Sequence, residues 1–407
     1  MRIAKKPIVA VGQAGGPTAV INASLLGFID AARPDFRIAG VVNAFQGLAE
    51  DWMIEIDEAV YGKLARYRYL PGAVLGSGRW AMNEEDYHAA VENLKRRDIH
   101  HLVLIGGNGT MFACKELARV AAASGYELAV IGIPKTVDND LMETDHSPGY
   151  GSAARYVAAS VRDIGADLKS MQNFEKVRII ETMGRNVGWL TAASMLLKES
   201  EEQPPHLICV PERPFVLERF LQDIESIVRS IGYAVAVISE GVRDVTGRVL
   251  SQLTLHPETN GTVLGGASRF LAEKVSRELN LPVRAELLGM NQRCFAPLVS
   301  LADRKEAETL GKEAAALLRR GESGRMVTLI REDCPPGTYV CRAGDCPLEA
   351  VAGKERLLPD DVVNERGTAV SAAFKSWLRP LAGYDLETYP DWEFSEKLLL
   401  SEGDKTR

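Results

Sequence analysis

The sequence predicts an α/β protein made of two Rossmann-like lobes with mainly parallel sheets, an active-site cleft between the lobes and a C-terminal extension. Short apolar runs alternate with segments of helical periodicity along most of the chain, a pattern typical of parallel strands covered by helices. The length of 407 residues is too great for one simple core and favours two lobes. The glycine-rich motifs follow predicted strands, and parallel sheets bind ligands at the carboxyl ends of their strands.

The predicted strands are short runs of Val, Ile, Leu and Ala, at 8–11, 102–105, 128–133, 177–180, 207–210, 234–238 and 327–330. The predicted helices have apolar residues three and four positions apart, at 23–32, 84–97, 111–123, 156–168, 215–229 and 267–278. This order predicts a first lobe at 1–152, a second lobe at 153–290 and a C-terminal extension at 346–407. We expect the chain to rejoin the first lobe at about 291–345.

Composition and charge exclude several kinds of partner. The chain has 48 basic and 55 acidic residues, a net charge of −7, so we expect neither a nucleic-acid nor a membrane partner. The N-terminal residues lack the layout of a signal peptide, and no apolar run approaches membrane-spanning length. Cys334, Cys341 and Cys346 form a loose cluster without the CxxC pair of a zinc site, and the other cysteines are scattered. We therefore expect a cytoplasmic protein.

Two glycine-rich turns each stand between a predicted strand and a predicted helix. Residues 12–18 read Gly-Gln-Ala-Gly-Gly-Pro-Thr, in which glycines let the backbone approach a ligand and the helix N-terminus presents N–H groups to an anion. An ordinary tight turn would look the same. Residues 105–111 read Ile-Gly-Gly-Asn-Gly-Thr-Met and add an amide and a hydroxyl, which suit phosphate oxygens and a metal ion.

A third loop brings a cation, a hydroxyl and two carboxylates together. Residues 132–140 read Gly-Ile-Pro-Lys-Thr-Val-Asp-Asn-Asp and follow another predicted strand. Phosphoryl transfer to an alcohol needs a carboxylate that accepts the hydroxyl proton and cations that offset charge on the transferred group. A helix cap would explain one Asp of this loop but not the whole set. The three loops together predict phosphoryl transfer.

With these loops, the sequence resembles the phosphofructokinase family from about residue 8 to 310. Further motifs in the order of that family lie at 75–79 (Leu-Gly-Ser-Gly-Arg), 144–146 (Thr-Asp-His), 181–189 (Glu-Thr-Met-Gly-Arg-Asn-Val-Gly-Trp), 239–241 (Ser-Glu-Gly) and 292–293 (Gln-Arg). The resemblance implies phosphoryl transfer to the 1-hydroxyl of fructose 6-phosphate, which gives fructose 1,6-bisphosphate. It also implies Mg²⁺ as cofactor and a homodimer or homotetramer, with the donor in the first lobe and the sugar phosphate in the second.

The resemblance assigns a role to individual residues. Asp138 would be the general base, and Arg185, Lys135 and Arg79 would stabilise charge on the reacting phosphates. The donor would be held by Gly15, Arg79, Trp80, Gly107, Asn108, Gly109 and Thr110. The sugar phosphate would be held by Thr136, Asp138, Met183, Gly184, Arg185, Glu240, Arg284, Met290 and Arg293. Asn108 and Asp140 would bind the metal ion.

The residues give opposed indications of the donor. Gly109 leaves room for ATP at a position where pyrophosphate enzymes of the family often carry Asp. Lys135 stands where many bacterial ATP enzymes carry Gly, and its ammonium suits an inorganic leaving group, although some ATP-using members combine Gly with Lys. Asn108 and the segment 147–153 favour the pyrophosphate branch. We therefore predict pyrophosphate as the donor, with ATP as the alternative.

Other readings of the acceptor and of the activity stay open. Met290 and Lys176 stand where bacterial ATP enzymes have His and Arg, which leaves room for another sugar phosphate such as sedoheptulose 7-phosphate. A lipid or dinucleotide kinase would share only the loop at 106–110. A non-catalytic sugar-phosphate sensor would have no use for the base Asp138.

Overall fold

A computed structural model describes residues 6–78, 80–250, 265–335 and 337–390 of the chain. The strands of these residues are β1 Ile8–Gln13, β2 Arg37–Val41, β3 Met53–Glu55, β4 His101–Gly106, β5 Ala129–Pro134, β6 Val177–Thr182, β7 Leu207–Cys209, β8 Ala234–Ser239, β9 Val283–Leu287, β10 Arg325–Arg331 and β11 Cys341–Pro347. They form two sheets, ordered β11-β10-β5-β4-β1-β2-β3 and β7-β8-β6-β9. Only the pairs β2–β3 and β10–β11 are antiparallel among the described strands. The predicted α/β class with mainly parallel sheets is confirmed.

Helices connect and cover these strands. They are α1 Ile21–Ala32, α2 Phe45–Ala49, α3 Glu58–Leu64, α4 Glu84–Arg96, α5 Asn108–Ala123, α6 Tyr150–Ser170, α7 Trp189–Ala193, α8 Leu217–Ile231, α9 Ala267–Leu279, α10 Asn291–Cys294, α11 Leu301–Arg319, α12 Leu348–Val351 and α13 Ala372–Ala382. Their ends follow local chemistry where the sequence supplies it. Helix α4 begins at a reciprocal pair of hydrogen bonds between Asn83 and Asp86, and α8 ends at Gly232 in the left-handed conformation. Among the described helices, none combines the length and apolar character that crossing a bilayer requires.

The central strands are buried on both faces, which explains their uninterrupted apolar runs. In β1, Val9 and Val11 pack towards α1 and α11, whereas Ala10 lies on the opposite face with residues of α4 and α5. The second sheet is covered by α8 and α9 on one face and by α6 on the other. Helix α11 packs closely on α1 at Gly27 and Gly311. A side chain at either position would collide with the backbone of the other helix.

Strand β2, which lies inside the first sheet, was not predicted from the sequence. Three edge strands were not predicted either, because edge strands need no continuous apolar run. They are β3, β9 and β11, which carry polar residues and end their sheets. Strands β10 and β11 return the chain to the first sheet after the second sheet is complete. The domain boundaries at 152, 290 and 345 remain predictions.

The C-terminal extension contributes to the core rather than lying on the surface. Phe374 of α13 is buried, and its neighbour Trp377 stacks at 5.5 Å between ring centres on Trp189 of α7. Tyr150, the first residue of α6, joins the same aromatic cluster at 5.9 Å from Trp377. The extension therefore packs beside the loops that follow β5 and β6.

Candidate active site

A cleft of about 670 Å³ lies where the carboxyl ends of strands from both sheets converge. The loops after β1, β4 and β5 line it from the first sheet, and the loops after β6, β8 and β9 line it from the second. The predicted site residues in its wall are Gly15, Trp80, Gly107, Asn108, Gly109, Thr110, Lys135, Thr136, Asp138, Asp140, Met183, Arg185, Glu240, Met290 and Arg293. The parallel topology thus gathers side chains that lie far apart in the sequence.

Three predicted site residues are not among those that line the cleft. Arg79 lies outside the described residues. Gly184 is not in the wall itself, but it separates two residues that are, Met183 and Arg185. Arg284 is not among the described residues that line the cleft. Arg284 lies on edge strand β9, where its guanidinium pairs with Glu175 at 2.6 Å. Its side chain is 58% exposed. Within one chain the structure does not bring Arg284 to the sugar site.

Glycines of the first loop make room for two cations. Gly15 has φ +72°, and a β-carbon on it would lie 3.5 Å from the Lys135 ammonium. A β-carbon on Gly16 would lie 2.7 Å from the Arg293 guanidinium. The Lys135 ammonium donates a hydrogen bond to the Gly16 carbonyl at 2.6 Å, and the residue is only 2% exposed. The Gly15-Gly16 turn therefore packs against the cations of two other loops.

Asp138 has the environment of a general base. Burial raises the pKa of its carboxyl to about 7, the carboxylates of Asp140 and Glu240 contribute to the rise, and Lys135 and Arg185 oppose it. Carboxyls tuned in this way exchange protons efficiently near neutral pH. The loop is held locally, since the Asp138 backbone N–H donates to the Thr136 hydroxyl at 3.1 Å.

Asp140 is the residue of the same loop that best fits a metal ion. Its Oδ1 is buried, and no hydrogen-bond partner reaches it from the part of the chain that the structure describes. Burial raises the pKa of this carboxyl, and the carboxylate of Glu355 contributes to the rise. Asp140 lines the cleft, and a carboxylate oxygen without a partner is suited to Mg²⁺, which takes one or two carboxylates and completes its shell with water and phosphate oxygens.

Asn108, the other predicted metal ligand, is engaged elsewhere. Its side-chain N–H donates to the Lys354 carbonyl, and its carbonyl oxygen accepts from the Gly353 backbone at 3.1 Å. Among the described residues, no group of three or more His, Cys, Asp or Glu side chains is arranged to hold an ion. The protein's own contribution to a metal site therefore rests on Asp140 more than on Asn108.

The loops that line the cleft from the second sheet are hydrogen-bonded to one another. The Met183 backbone N–H donates to the Gln292 side chain at 2.9 Å, which joins the loop after β6 to the segment that carries Arg293. Gly184 has φ +139°, and a side chain there would collide with the Val187 carbonyl. The Ser239 hydroxyl donates to the Gly184 carbonyl and so ties the loop after β6 to the end of β8.

Sequence reasoning missed two parts of the wall. One is an apolar surface beside Gly109, formed by Phe45, Met82, Tyr87 and Phe112. The other is Glu355, which belongs to the C-terminal extension. Neither lies in a motif, so no local pattern could have indicated them.

His146 lies in the loop after β5 and joins that loop to α11. Its ring nitrogens contact Asp145 and Glu306 at 2.8 Å each, and the residue is fully buried. Burial alone would lower the pKa of His146, but these carboxylates outweigh it and raise the pKa to about 9. His146 therefore packs as an ion-paired cation between the loop after β5 and α11.

The chain belongs to the phosphofructokinase family, because the family model "Phosphofructokinase" matches residues 8–318. The protein is thus an enzyme of a family of sugar-phosphate kinases. It is 47% identical to the sulfofructose kinase of Alkalicoccus urumqiensis over 372 residues, which cover 91% of this chain and 94% of that protein. It is 33% identical to the pyrophosphate–fructose 6-phosphate 1-phosphotransferase of Halomonas elongata, with 94% and 92% of the two chains covered.

Solved structures agree with this placement. The pyrophosphate-dependent phosphofructokinase of Marinobacter aquaeolei superposes with a TM-score of 0.83 at 30% identity, covering 95% of this chain and 94% of that one. The enzyme of the same name from Nitrosospira multiformis superposes with a TM-score of 0.82 at 31% identity, with the same coverage. The resemblance to the pyrophosphate-dependent branch is confirmed.

Proposed function

We propose that this protein transfers the terminal phosphoryl group of ATP to the 1-hydroxyl of a fructose that carries an anionic group at C6. The observation that carries the proposal is the partly buried Asp138, whose pKa is raised to about 7, in a cleft that also presents Lys135 and Arg185. A neutral-pH base beside two cations is what transfer of a phosphoryl group to an alcohol requires.

In this mechanism each residue of the cleft has one role. Asp138 accepts the proton of the 1-hydroxyl as its oxygen attacks the phosphorus. Arg185 and Lys135 offset the charge that spreads over the transferred and leaving phosphate oxygens. Asp140 would hold Mg²⁺, which when bound neutralises charge on the donor phosphates. Glu240 would accept hydrogen bonds from sugar hydroxyls.

For the acceptor we propose sulfofructose as the first candidate, on the basis of the 47% identical relative. A sulfonate carries a single negative charge, whereas a phosphate monoester carries about 1.5 to 2 at neutral pH. Met290 lines the cleft where the resemblance places a histidine against the sugar phosphate, and a thioether offers neither charge nor an N–H donor. Arg293 remains to bind the anion. Fructose 6-phosphate is the second candidate, supported by the relatives at 33% identity.

The donor proposal rests on the shape of the cleft beside Gly109. Among the described residues, no heavy atom lies within 4 Å of a β-carbon placed there. The apolar side chains of Phe45, Met82, Tyr87 and Phe112 line the same cleft, and Phe112, one turn after Gly109 on α5, is 43% exposed. Pyrophosphate has no apolar part that could use such a surface, whereas a nucleobase has. Pyrophosphate, the donor predicted from the sequence, becomes the second candidate and is favoured by the position of Lys135 next to Gly16.

An assay of the four donor–acceptor pairs tests this proposal. Purified protein with Mg²⁺ is supplied with ATP or pyrophosphate and with sulfofructose or fructose 6-phosphate, and the phosphorylated sugar is quantified directly. We expect the highest kcat/KM with ATP and sulfofructose. Turnover from pyrophosphate alone would overturn the donor proposal and leave the family unchanged. Binding of a sugar without turnover from either donor would instead indicate a sensor.

The pH dependence of kcat/KM should reveal Asp138 as the base. Because its pKa is raised to about 7 and the base acts in its deprotonated form, kcat/KM should fall by about tenfold per pH unit below 7 and level off above it. The kcat/KM for sulfofructose is measured with the donor at saturation, and the sulfonate of sulfofructose does not titrate in this range. A profile that stays flat from pH 7 to well below it would show that Asp138 is not the base.

Arg293→Ala should raise the KM for the sugar acceptor by about tenfold or more with little change in kcat, because a charged hydrogen bond to a group that does not react contributes about 1.5–3 kcal/mol to binding. Arg229, a surface arginine that pairs with Glu225, provides the matched control Arg229→Ala. A fall in kcat with unchanged KM would assign Arg293 to the transition state instead.

We further propose a homodimer or homotetramer. Arg284 was predicted to bind the sugar phosphate, and its place on an exposed edge strand lets it do so only in the cleft of a second copy. Sedimentation velocity of the purified chain tests this assembly.

A further inference from the structure

A short segment of the C-terminal extension, residues 353–356, is here called the strap, and its residue Glu355 lines the cleft. Its residues contact the loops that carry the phosphate chemistry. Asn108 exchanges two hydrogen bonds with the backbone of Gly353 and Lys354. The Arg356 backbone N–H donates to the Asp140 carbonyl at 2.8 Å. The strap is therefore joined to the loop after β4 and to the loop after β5.

Arg356, the last residue of the strap, also contacts α7, the helix that follows β6. The Trp189 indole N–H donates to the Arg356 carbonyl at 3.1 Å, and the Arg356 guanidinium lies 4.7 Å from the centre of the Trp189 ring. The same guanidinium donates to the carbonyls of Thr144 and Asp145 at 2.9 and 2.6 Å. These contacts fix the position of the preceding residue, Glu355, in the wall of the cleft.

The Glu355 carboxylate thus faces the cleft close to Asp140. One of its oxygens accepts a hydrogen bond from the Asn186 side chain at 2.8 Å, which orients the carboxylate from the loop after β6. Asp140 lines the same cleft, and the backbone next to Glu355 is bonded to it, since the Arg356 N–H donates to the Asp140 carbonyl. Two carboxylates in the wall of one cleft, one with a buried oxygen that lacks a partner among the described residues, offer the charged oxygen ligands that a divalent cation takes.

We propose that Glu355 and Asp140 together hold the divalent cation that accompanies the phosphoryl donor. The proposal rests on the proposed function, since the donor's phosphate oxygens complete the shell of the ion. Mg²⁺ is bound in such enzymes by one or two carboxylates with water and phosphate oxygens, so two are enough. The neutral Asn108 then acts indirectly, because its hydrogen bonds to Gly353 and Lys354 place the Glu355 carboxylate that supplies the second negative charge.

Binding of Mn²⁺ tests the site without turnover. Free Mn²⁺ is measured by electron paramagnetic resonance while protein is titrated, with the β,γ-imido analogue of ATP or with imidodiphosphate at saturation. Glu355→Gln keeps the size of the side chain and an oxygen that can accept from Asn186. We expect it to weaken Mn²⁺ binding in the analogue complex by about tenfold or more, because one charged ligand is lost. Affinity for the sugar acceptor, measured by calorimetry, should stay within about twofold of wild type.

Glu349→Gln is the matched control, because Glu349 is an exposed carboxylate a few residues earlier in the same extension. It should leave Mn²⁺ affinity unchanged. Equal Mn²⁺ affinity of wild type and Glu355→Gln would overturn the proposal, and so would equal losses of Mn²⁺ and sugar affinity, which would mark the strap as purely structural. If Glu355→Gln does not fold, Glu355→Asp keeps the charge and should bind Mn²⁺ more weakly than wild type while sugar affinity is kept. Failure of the wild type to bind either analogue would refute the proposed function instead.

Discussion

Asp138→Asn is expected to lower kcat by at least about 10²-fold, the usual scale for a lost general base. The substitution keeps the shape of the side chain and removes only the proton acceptor. It also removes a buried negative charge that Asp140 and Glu240 repel, so the variant should fold at least as well as the wild type. Steady-state kinetics with the best donor–acceptor pair provide the measurement, and calorimetry should show sugar affinity close to that of the wild type.

The control for this substitution is Asp333→Asn, which makes the same change on an exposed loop. It should leave kcat unaltered. Near-normal turnover of Asp138→Asn would mean that another group accepts the proton. A large loss of sugar affinity together with kcat would show that Asp138 chiefly binds the sugar.

Gly109→Asp is expected to reduce ATP-driven turnover by at least about 10²-fold. The new carboxylate would occupy the open space beside Gly109, where the donor proposal places the nucleotide. Two negative charges about 4 Å apart repel each other by about 4 kcal/mol at an intermediate effective dielectric constant, which corresponds to nearly a thousandfold in binding. Activity with pyrophosphate should change little, because that donor does not extend past Gly109.

Gly62→Asp provides the comparison, since Gly62 of α3 also has no described heavy atom within 4 Å of an added β-carbon and lies outside the cleft wall. Both variants add one negative charge. Unchanged ATP turnover in Gly109→Asp would show that the donor does not pass this opening. The kinetic constants for both donors, measured on wild type and both variants, complete the comparison.

The three phosphate loops could be recognised from the sequence because their features are local. A glycine turn that follows an apolar strand and precedes a helix is written in consecutive residues, as at 12–18 and 105–111. Parallel topology then requires such loops to meet at one edge of a sheet, so the cleft and most of its wall follow from order alone. The family followed from several such motifs in a fixed order.

The tertiary structure decided how distant residues meet. Arg284 had the right residue type for a phosphate, yet its place on edge strand β9 pairs it with Glu175 and keeps it out of the cleft of its own chain. Asn108 stood in the right loop for a metal ligand, yet the strap occupies its amide. These outcomes depend on where neighbouring segments pass, which no local pattern records.

The C-terminal extension shows the same limit most clearly. The sequence predicts residues 346–407 only as an extension of the two lobes, without contacts of its own. In the fold, Phe374 and Trp377 pack on Trp189, and Glu355 reaches the cleft beside Asp140. The sequence by itself determined the α/β class, the order of the loops and the chemistry they carry, since each is encoded in short stretches of chain. The tertiary structure alone brought Glu355 into the cleft with them, because that depends on contacts between residues more than 200 positions apart.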